Sequence, residues 1–265
     1  KRILLTGDDG YASVGIRLLV HYLKHKYDLC IAATRDQQSG VGGHLSIREG
    51  GMWGETSVDG VPAFWASGYP ADVVELVVGY YKKPFDLVIS GINLGANIGG
   101  GFSSGTVAAA VRSVEVHHAP RALILSWDLP HSYWYLRHND GDDLSSFLAY
   151  PGKIAGKVVE RAIAHNLWNA TILNINFPSK QSKKIRFTRP MDDLTKYYVY
   201  PIGRDKTKKT FSYRKEDLVT RTETKGNLTI DTGAILDGYI SISPLQINML
   251  DEKAYKKLEK EEIAL

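Results

Sequence analysis

A single cysteine, Cys30, leaves this chain of 265 residues without an intramolecular disulfide. It sits in the apolar run Leu29 to Ala33 and reads as a buried, inert thiol, which suits a reducing compartment. No apolar stretch approaches the roughly 20 residues a spanning helix needs. No basic segment leads into a long apolar core near the start, so no signal peptide is read. The expectation is a soluble, cytoplasmic protein with no membrane partner. Charge of one sign is scarce too: the net value is only +4, too little to argue for a nucleic-acid polymer as partner. The basic run Lys180 to Arg189 does not interleave aromatics as base stacking requires and reads as a solvated face. Neither G-x-G-x-x-G nor G-x-x-x-x-G-K-[ST] occurs, which argues against a nicotinamide enzyme and a P-loop ATPase. Internal repeats and low-complexity segments are absent as well.

Apolar residues make up 43% of the chain, enough for a sizeable core. Short apolar runs predict buried parallel strands at Arg2 to Thr6, Leu29 to Thr34, Phe85 to Ser90, Arg121 to Trp127 and Ala170 to Phe177. Helical spacing fills the gaps. Ile16, Leu19, Val20 and Leu23 form one stripe, and Val73, Val74, Val77, Val78 and Tyr81 follow Pro70 as a second. Val107, Ala110, Val111 and Val114 form a third, and Ile154, Val158, Arg161 and Ala162 mark a fourth segment. Alternating strands and helices predict a Rossmann-like, doubly wound, mostly parallel α/β sheet. The texture changes after Pro178. One domain over 1–265 is expected: an α/β core at 1–178, a projecting β or hairpin segment at 179–238, and a closing part at 239–265. That last part holds a returning strand, Tyr239 to Pro244, and a charged helix, Glu252 to Ile263.

Ligands of open α/β sheets gather outside the carboxyl ends of the strands. Three segments place unusual polar residues there. Asp8-Asp9 follows the first strand. Asp-Gly is turn chemistry, but adjacent carboxylates repel, and a hard cation would offset them. Ser39-Gly40 follows the second strand, and its hydroxyl either makes an ordinary turn or serves as a neutral oxygen ligand. His44 lies further along that loop, as a structural residue or as an acid or substrate contact. The third segment runs from Ser90 to Val111 and contains Asn93, Asn97 and Ser103-Ser104-Gly105-Thr106. Ser104 suits a helix cap, and the exposed amides and hydroxyls of the same turn suit an anion. Metal ligands beside an anion cradle favour phosphoryl chemistry.

In order and spacing, five motifs resemble the SurE family of survival-protein nucleotidases. They are Asp8-Asp9-Gly10, Ser39-Gly40, Gly68-Tyr69-Pro70-Ala71-Asp72, Ser90-Gly91-Ile92-Asn93 and Ser104-Gly105-Thr106-Val107. They cover roughly residues 2 to 128; Leu173 to Pro178, Arg186 to Arg189 and Gly238 to Pro244 extend the likeness. The resemblance implies a metal-dependent phosphatase acting on nucleoside monophosphates, with one Mg²⁺ or Mn²⁺ per subunit held by Asp8, Asp9, Ser39 and Asn93. It implies phosphate contacts at Asn97, Ser104, Gly105 and Thr106. Asp8 or Asp9 serves as ligand, base or nucleophile, a choice the sequence leaves open. It also implies a homodimer or homotetramer formed through the C-terminal segment.

The chain departs from the family pattern at Gly7, where the family has Asn, and at Ala33-Thr34-Arg35, Tyr69 and Leu94, the last in place of Arg. These departures bear on nucleotide preference and rate. Gly7 and Leu94 leave open a binding or assembly module with little turnover, and a phosphatase of short polyphosphate is a further alternative. Trp53, Trp65 and Tyr69 are the candidate platforms for a base.

Overall fold

The computed structural model describes residues 1–134, 136, 138–199, 202–213, 219–220, 222–247 and 255–257. The chain opens with β1 (Arg2–Thr6), α1 (Val14–Leu23) and β2 (Asp28–Thr34). A hairpin follows, β3 (Trp53–Val58) and β4 (Val61–Ala66), then α2 (Pro70–Tyr80), β5 (Leu87–Leu94) and α3 (Gly105–Glu115). Next come β6 (Ala122–Trp127), α4 (Lys153–Ala164), β7 (Ile172–Phe177) and β8 (Ile185–Phe187). The later part holds β9 (Tyr198–Val199), β10 (Ile202–Asp205), β11 (Thr210–Tyr213), β12 (Val219–Thr220), a short helix α5 (Asp231–Leu236) and β13 (Ile240–Leu245).

Nine strands form one sheet in the order β3-β4-β2-β1-β5-β6-β7-β13-β8. The six from β4 to β7 are parallel, and β3 and β13 run antiparallel to their inner neighbours. Burial on both faces explains why the inner strands read as unbroken apolar runs. Ile3, Leu5, Ile31, Ile89 and Leu125 face one way, against Ile16, Leu19, Val20 and Leu23 of α1 and Ile154 and Val158 of α4. Leu4, Ala32, Val88 and Ile124 face the other, against Val73 and Val77 of α2 and Val107, Ala110 and Val114 of α3. The doubly wound α/β architecture is therefore present. Cys30 is buried in the second layer.

The order of strands places a topological switch at β1. From β1 the chain works outward through β2 and β4, then returns to lay β5 on the other side. A crevice opens at such a switch, outside the carboxyl ends of the two strands.

Two departures from the sequence reading have clear causes. The strand expected at Phe85 to Ser90 runs from Leu87 to Leu94, because pairing with β6 resumes after a register shift, at Asn93 with Ser126 and Leu94 with Trp127. The β3–β4 hairpin has no counterpart in the apolar pattern, since β3 is largely exposed. Its turn is Asp59-Gly60, both residues at positive φ (48° and 82°), joining Val58 to its partner Val61. An Asp-Gly pair between short β-prone runs is the standard signal of a tight hairpin.

Within 179–238, β8 pairs with β13 at the edge of the main sheet, whereas β10 with β11 and β9 with β12 form separate two-stranded ribbons. The expected returning strand is β13. Of the expected helix Glu252 to Ile263, residues 255–257 are helical and the rest lies outside the described residues. No helix among the described residues is long and apolar enough to cross a membrane.

Candidate active site

The β1 strand ends in Gly7 and then the carboxylates of Asp8 and Asp9, only 5% and 8% exposed. Their neighbours come from the other side of the switch. The Thr106 hydroxyl donates to Oδ1 of Asp8 and sits 3.2 Å from Oδ1 of Asn93, so one hydroxyl ties the two oxygens together. The Thr106 main-chain N–H adds a second donor to Asp8. Asp8 thus occupies the N-terminus of α3, where the helix dipole favours a negative charge. Gly105 makes that approach possible: a Cβ there would fall 2.9 Å from Oδ2 of Asp8. The Asn93 amide is oriented by its own donation to the Gly95 carbonyl, 2.8 Å. Asp9 accepts from the Leu94 N–H at 3.1 Å and from Nε2 of Gln37 at 2.9 Å.

These donors do not neutralise the pair. Among the described residues, no Lys, Arg or His forms an ion pair with either carboxylate. Burial pushes both acids well above the usual carboxylate range, and the charge of Asp9 raises Asp8 further. The Thr106 donors on Asp8, and the Leu94 amide and Gln37 on Asp9, pull against that rise. Two adjacent buried acids without a cation form a site of unmet charge.

A cavity of about 630 Å³ opens over the site, within the range of small-molecule pockets. Asp8, Ser39, Gly40, Asn93, Asn97, Ser103 and Ser104 line it together with Leu94, Ala96, Trp134 and Tyr213. Ser39 arrives on a loop that docks on the α3 entry: the Gly42 N–H donates to the Ser103 carbonyl at 2.9 Å. At Gly42, φ is +57° and a Cβ would lie 2.7 Å from the Phe102 carbonyl oxygen, so glycine is required there.

The expected site residues therefore divide. Asp8, Ser39, Asn93, Asn97 and Ser104 line one cavity. Asp9 borders a second cavity of about 650 Å³, which shares the wall formed by Gln37. Thr106 is fully buried beneath the carboxylates, and its hydroxyl serves Asp8 and Asn93. Ser104 caps α3, accepting from the Val107 N–H at 3.1 Å. Asn97 is held from three sides: its N–H donates to Asn176 at 2.8 Å, its carbonyl accepts from Asn174 at 2.7 Å, and its Nδ2 donates to Ser126 at 2.9 Å.

Asp72 of the Gly68-to-Asp72 motif is structural. It accepts from the N–H of Tyr69 at the start of α2 and from both the N–H and hydroxyl of Ser46, each at 2.8 Å. That pins the loop bearing His44, whose ring meets Tyr69 edge-on at 4.2 Å.

The candidate base platforms need correction. Trp53 stacks on Phe64 at the outer edge of the sheet, 5.3 Å between ring centres, and Trp65 lies under Arg35 and against Gly54. Neither they nor Tyr69 line the cavity; Trp134 and Tyr213 do. Gln37, Trp134 and Tyr213 also line the cavity, and sequence reasoning gave none of them a role. Gln37 stood in view just after β2, whereas the other two fall in segments with no periodic signal.

Comparison with known proteins agrees with this geometry. The family model "Survival protein SurE" matches residues 3–196. A 5′-nucleotidase SurE of Archaeoglobus fulgidus is 30% identical over 258 residues, covering 94% of this chain and 92% of the relative. One from Deinococcus radiodurans is also 30% identical, covering 94% and 88%. The crystal structure of the SurE protein from Aquifex aeolicus superposes with a TM-score of 0.74 at 25% identity, covering 98% of each chain. With its motifs gathered at one crevice and the likeness running nearly end to end, this chain belongs to the survival protein SurE family.

Proposed function

We propose that this chain is a divalent-metal-dependent 5′-nucleotidase that hydrolyses the phosphate monoester of nucleoside monophosphates. The observation that carries the reading is the buried pair Asp8 and Asp9, which has no Lys, Arg or His ion partner among the described residues, with Asp8 lining one small-molecule cavity and Asp9 the one beside it. The nucleotidase names of relatives along the whole chain point the same way.

The donor set fits a metal. Two carboxylates, the Asn93 amide oxygen and the Ser39 hydroxyl are hard oxygen ligands of the kind Mg²⁺ or Mn²⁺ takes. No described cluster of three or more His, Cys, Asp and Glu competes for that role. A bound cation would supply Lewis acidity toward a phosphoryl oxygen and ease deprotonation of water. The chain's own groups do the rest. Thr106 fixes Asp8, and Leu94 and Gln37 fix Asp9, so the carboxylates meet the substrate in set orientations. Ser104 and Asn97, which line the cavity, and the Gly105 amide at the start of α3 would receive the phosphate, its charge favoured by the helix N-terminus. Thr106 acts through Asp8 and Asn93 in this scheme, beneath the phosphate.

The same proposal includes one cation per subunit, a cytoplasmic setting and self-association through the 179–238 segment as a projecting arm. The exposed Phe211 and Ile202 of the β10–β11 ribbon, 70% and 42% exposed, support the arm's role in assembly. The test is release of inorganic phosphate from a panel of nucleoside monophosphates with Mn²⁺ or Mg²⁺, repeated with chelator. Metal-dependent release is expected. Release that survives the chelator refutes the metal mechanism, and no release from any nucleotide refutes the activity.

A further inference from the structure

Arg17 is a charged side chain on α1, in a stretch where every residue from Val14 to Val20 is buried. It is only 8% exposed and borders neither cavity. Taking a guanidinium out of water is costly unless its donors are met. Here two distant segments meet them. Nε donates to Oδ2 of Asp59, in the β3–β4 turn, at 3.2 Å. Nη1 donates to the main-chain carbonyls of Asp142 at 2.6 Å and Asn139 at 3.4 Å, both in the loop between β6 and α4. A planar fork of fixed donors seats that loop in a way a lysine would not.

The same loop reaches the site through another residue. The main-chain carbonyl of Trp134 accepts from Nε2 of Gln37, the nitrogen that also donates to Oδ1 of Asp9 at 2.9 Å. Both neighbours of that nitrogen are acceptors, so the amide must turn its two N–H groups toward them and its oxygen away. Trp134 is itself held in place. Its indole N–H donates to the Leu129 carbonyl at 3.0 Å, and its ring packs on Gly95, where a Cβ would fall 3.0 Å from the indole. A shift of the loop would release the Gln37 amide to rotate and set its oxygen against the Asp9 carboxylate, acceptor against acceptor. The loop is thus pinned by Arg17 at residues 139 and 142 and by Gln37 at residue 134.

We propose that Arg17 and Gln37 are positioning residues that work in series: Arg17 seats the loop after β6, the loop aims the Gln37 amide, and the amide orients Asp9 for a divalent cation. The proposal rests on the reading of Asp8 and Asp9 as a cation site. It adds a residue of α1, outside both cavities, that tunes the affinity of that site.

The test titrates Mn²⁺ into the full chain by calorimetry, with no substrate present. Gln37→Met should weaken binding about 10- to 100-fold, as loss of an outer partner of a metal ligand does. Arg17→Lys keeps the charge but not the fork, and should weaken it about 2- to 30-fold. In the Gln37→Met background the same Arg17→Lys change should have no further effect on Mn²⁺, because the series is already cut. Coupling is reciprocal, so Mn²⁺ should slow hydrogen exchange at the Tyr133 and Asp142 amides of the parent but not of Gln37→Met. Arg17→Lys with parental Mn²⁺ affinity overturns the proposal. So does an equal loss with and without Gln37, which would make Arg17 a packing residue only. Slowing that is absent from the parent, or persists in Gln37→Met, also overturns it, and this comparison decides the matter if Arg17→Lys does not fold. If the parent binds no Mn²⁺, the cation reading fails separately. Exchange without metal then decides the linkage: Gln37→Met should speed exchange at the Asp142 amide, and an unchanged rate overturns it.

Discussion

Two places in this molecule bury carboxylates, and they are opposites. Asp231, at the first turn of α5, is fully buried and accepts from the N–H groups of Gly99 (2.8 Å), Met191 (3.1 Å) and Thr232 (2.8 Å). Burial pushes its carboxyl up, and those backbone donors pull against the rise. It joins α5, residue 191 and the glycine loop after β5 into one packed unit. Asp8 and Asp9 are nearly as buried, yet they stand side by side with no Lys, Arg or His ion partner among the described residues. Saturation by fixed amides marks a carboxylate that holds the fold together. Adjacent charge that the protein leaves unbalanced marks one kept for a ligand.

The largest effect expected from this contrast is on activity. Asp8→Asn or Asp9→Asn should cut metal-dependent phosphate release by more than the roughly 100-fold that losing an outer partner of a metal site costs. The metal-free variants should melt no lower than the parent, because each removes one of two repelling charges. A variant with full turnover, or one that fails to fold, would erase the distinction between the two places. Thr106→Val comes next. It keeps the shape but removes the hydroxyl shared by Asp8 and Asn93. Metal affinity and kcat/KM should fall about 10- to 100-fold, read by metal titration and initial rates.

Asp231→Asn should reverse the pattern. Its amide would turn an N–H donor toward backbone donors, at a cost of about 1–3 kcal/mol for a buried group left unsatisfied. For a chain of this length that corresponds to a fall of roughly 2–12 °C in melting temperature. Turnover per folded molecule should change by only a few-fold. A loss of activity without a loss of stability would place Asp231 with the other pair.

The contrast was only half legible in the sequence. The Asp8-Asp9 pair announced itself because it breaks an apolar run where β1 ends, and the strand pattern fixes that end as a ligand-facing one. The sheet's inner strands and the four long helices were readable for the same reason: burial on one or both faces imposes a period. Asp231 lies in a short helix reached after hairpins, and its partners are backbone amides from residues 99 and 191, which no local pattern encodes. Trp134 is similar. Its place in the cavity depends on Gly95 and Gln37, distant in the chain, and the loop around it has no periodicity. The β3–β4 hairpin was missed although Asp59-Gly60 signals it, because the polar face of β3 hid the strand from a search for apolar runs.

The smallest expected effect is a pH slope, and it tests the unmet charge directly. Asp8 and Asp9 have native-state pKa values raised by burial, so the folded chain holds protons that the unfolded chain has already released. Their contribution to stability is therefore full below the unfolded carboxylate value of about 4 and declines as pH rises through the raised native values. Other buried groups titrate too: Asp231 and Asp128 are raised, and His118 and His138 are lowered. Comparing the parent with Asp8→Asn removes those common contributions. From about pH 5 to about pH 8, the metal-free parent should lose a few degrees of melting temperature more than Asp8→Asn does. Saturating Mn²⁺ should reverse the sign, since a cation binds the deprotonated pair and its stabilising increment grows with pH. Parallel pH curves for parent and variant would mean that burial does not raise Asp8 in the folded chain, and the reason for expecting a cation beside the pair would be gone.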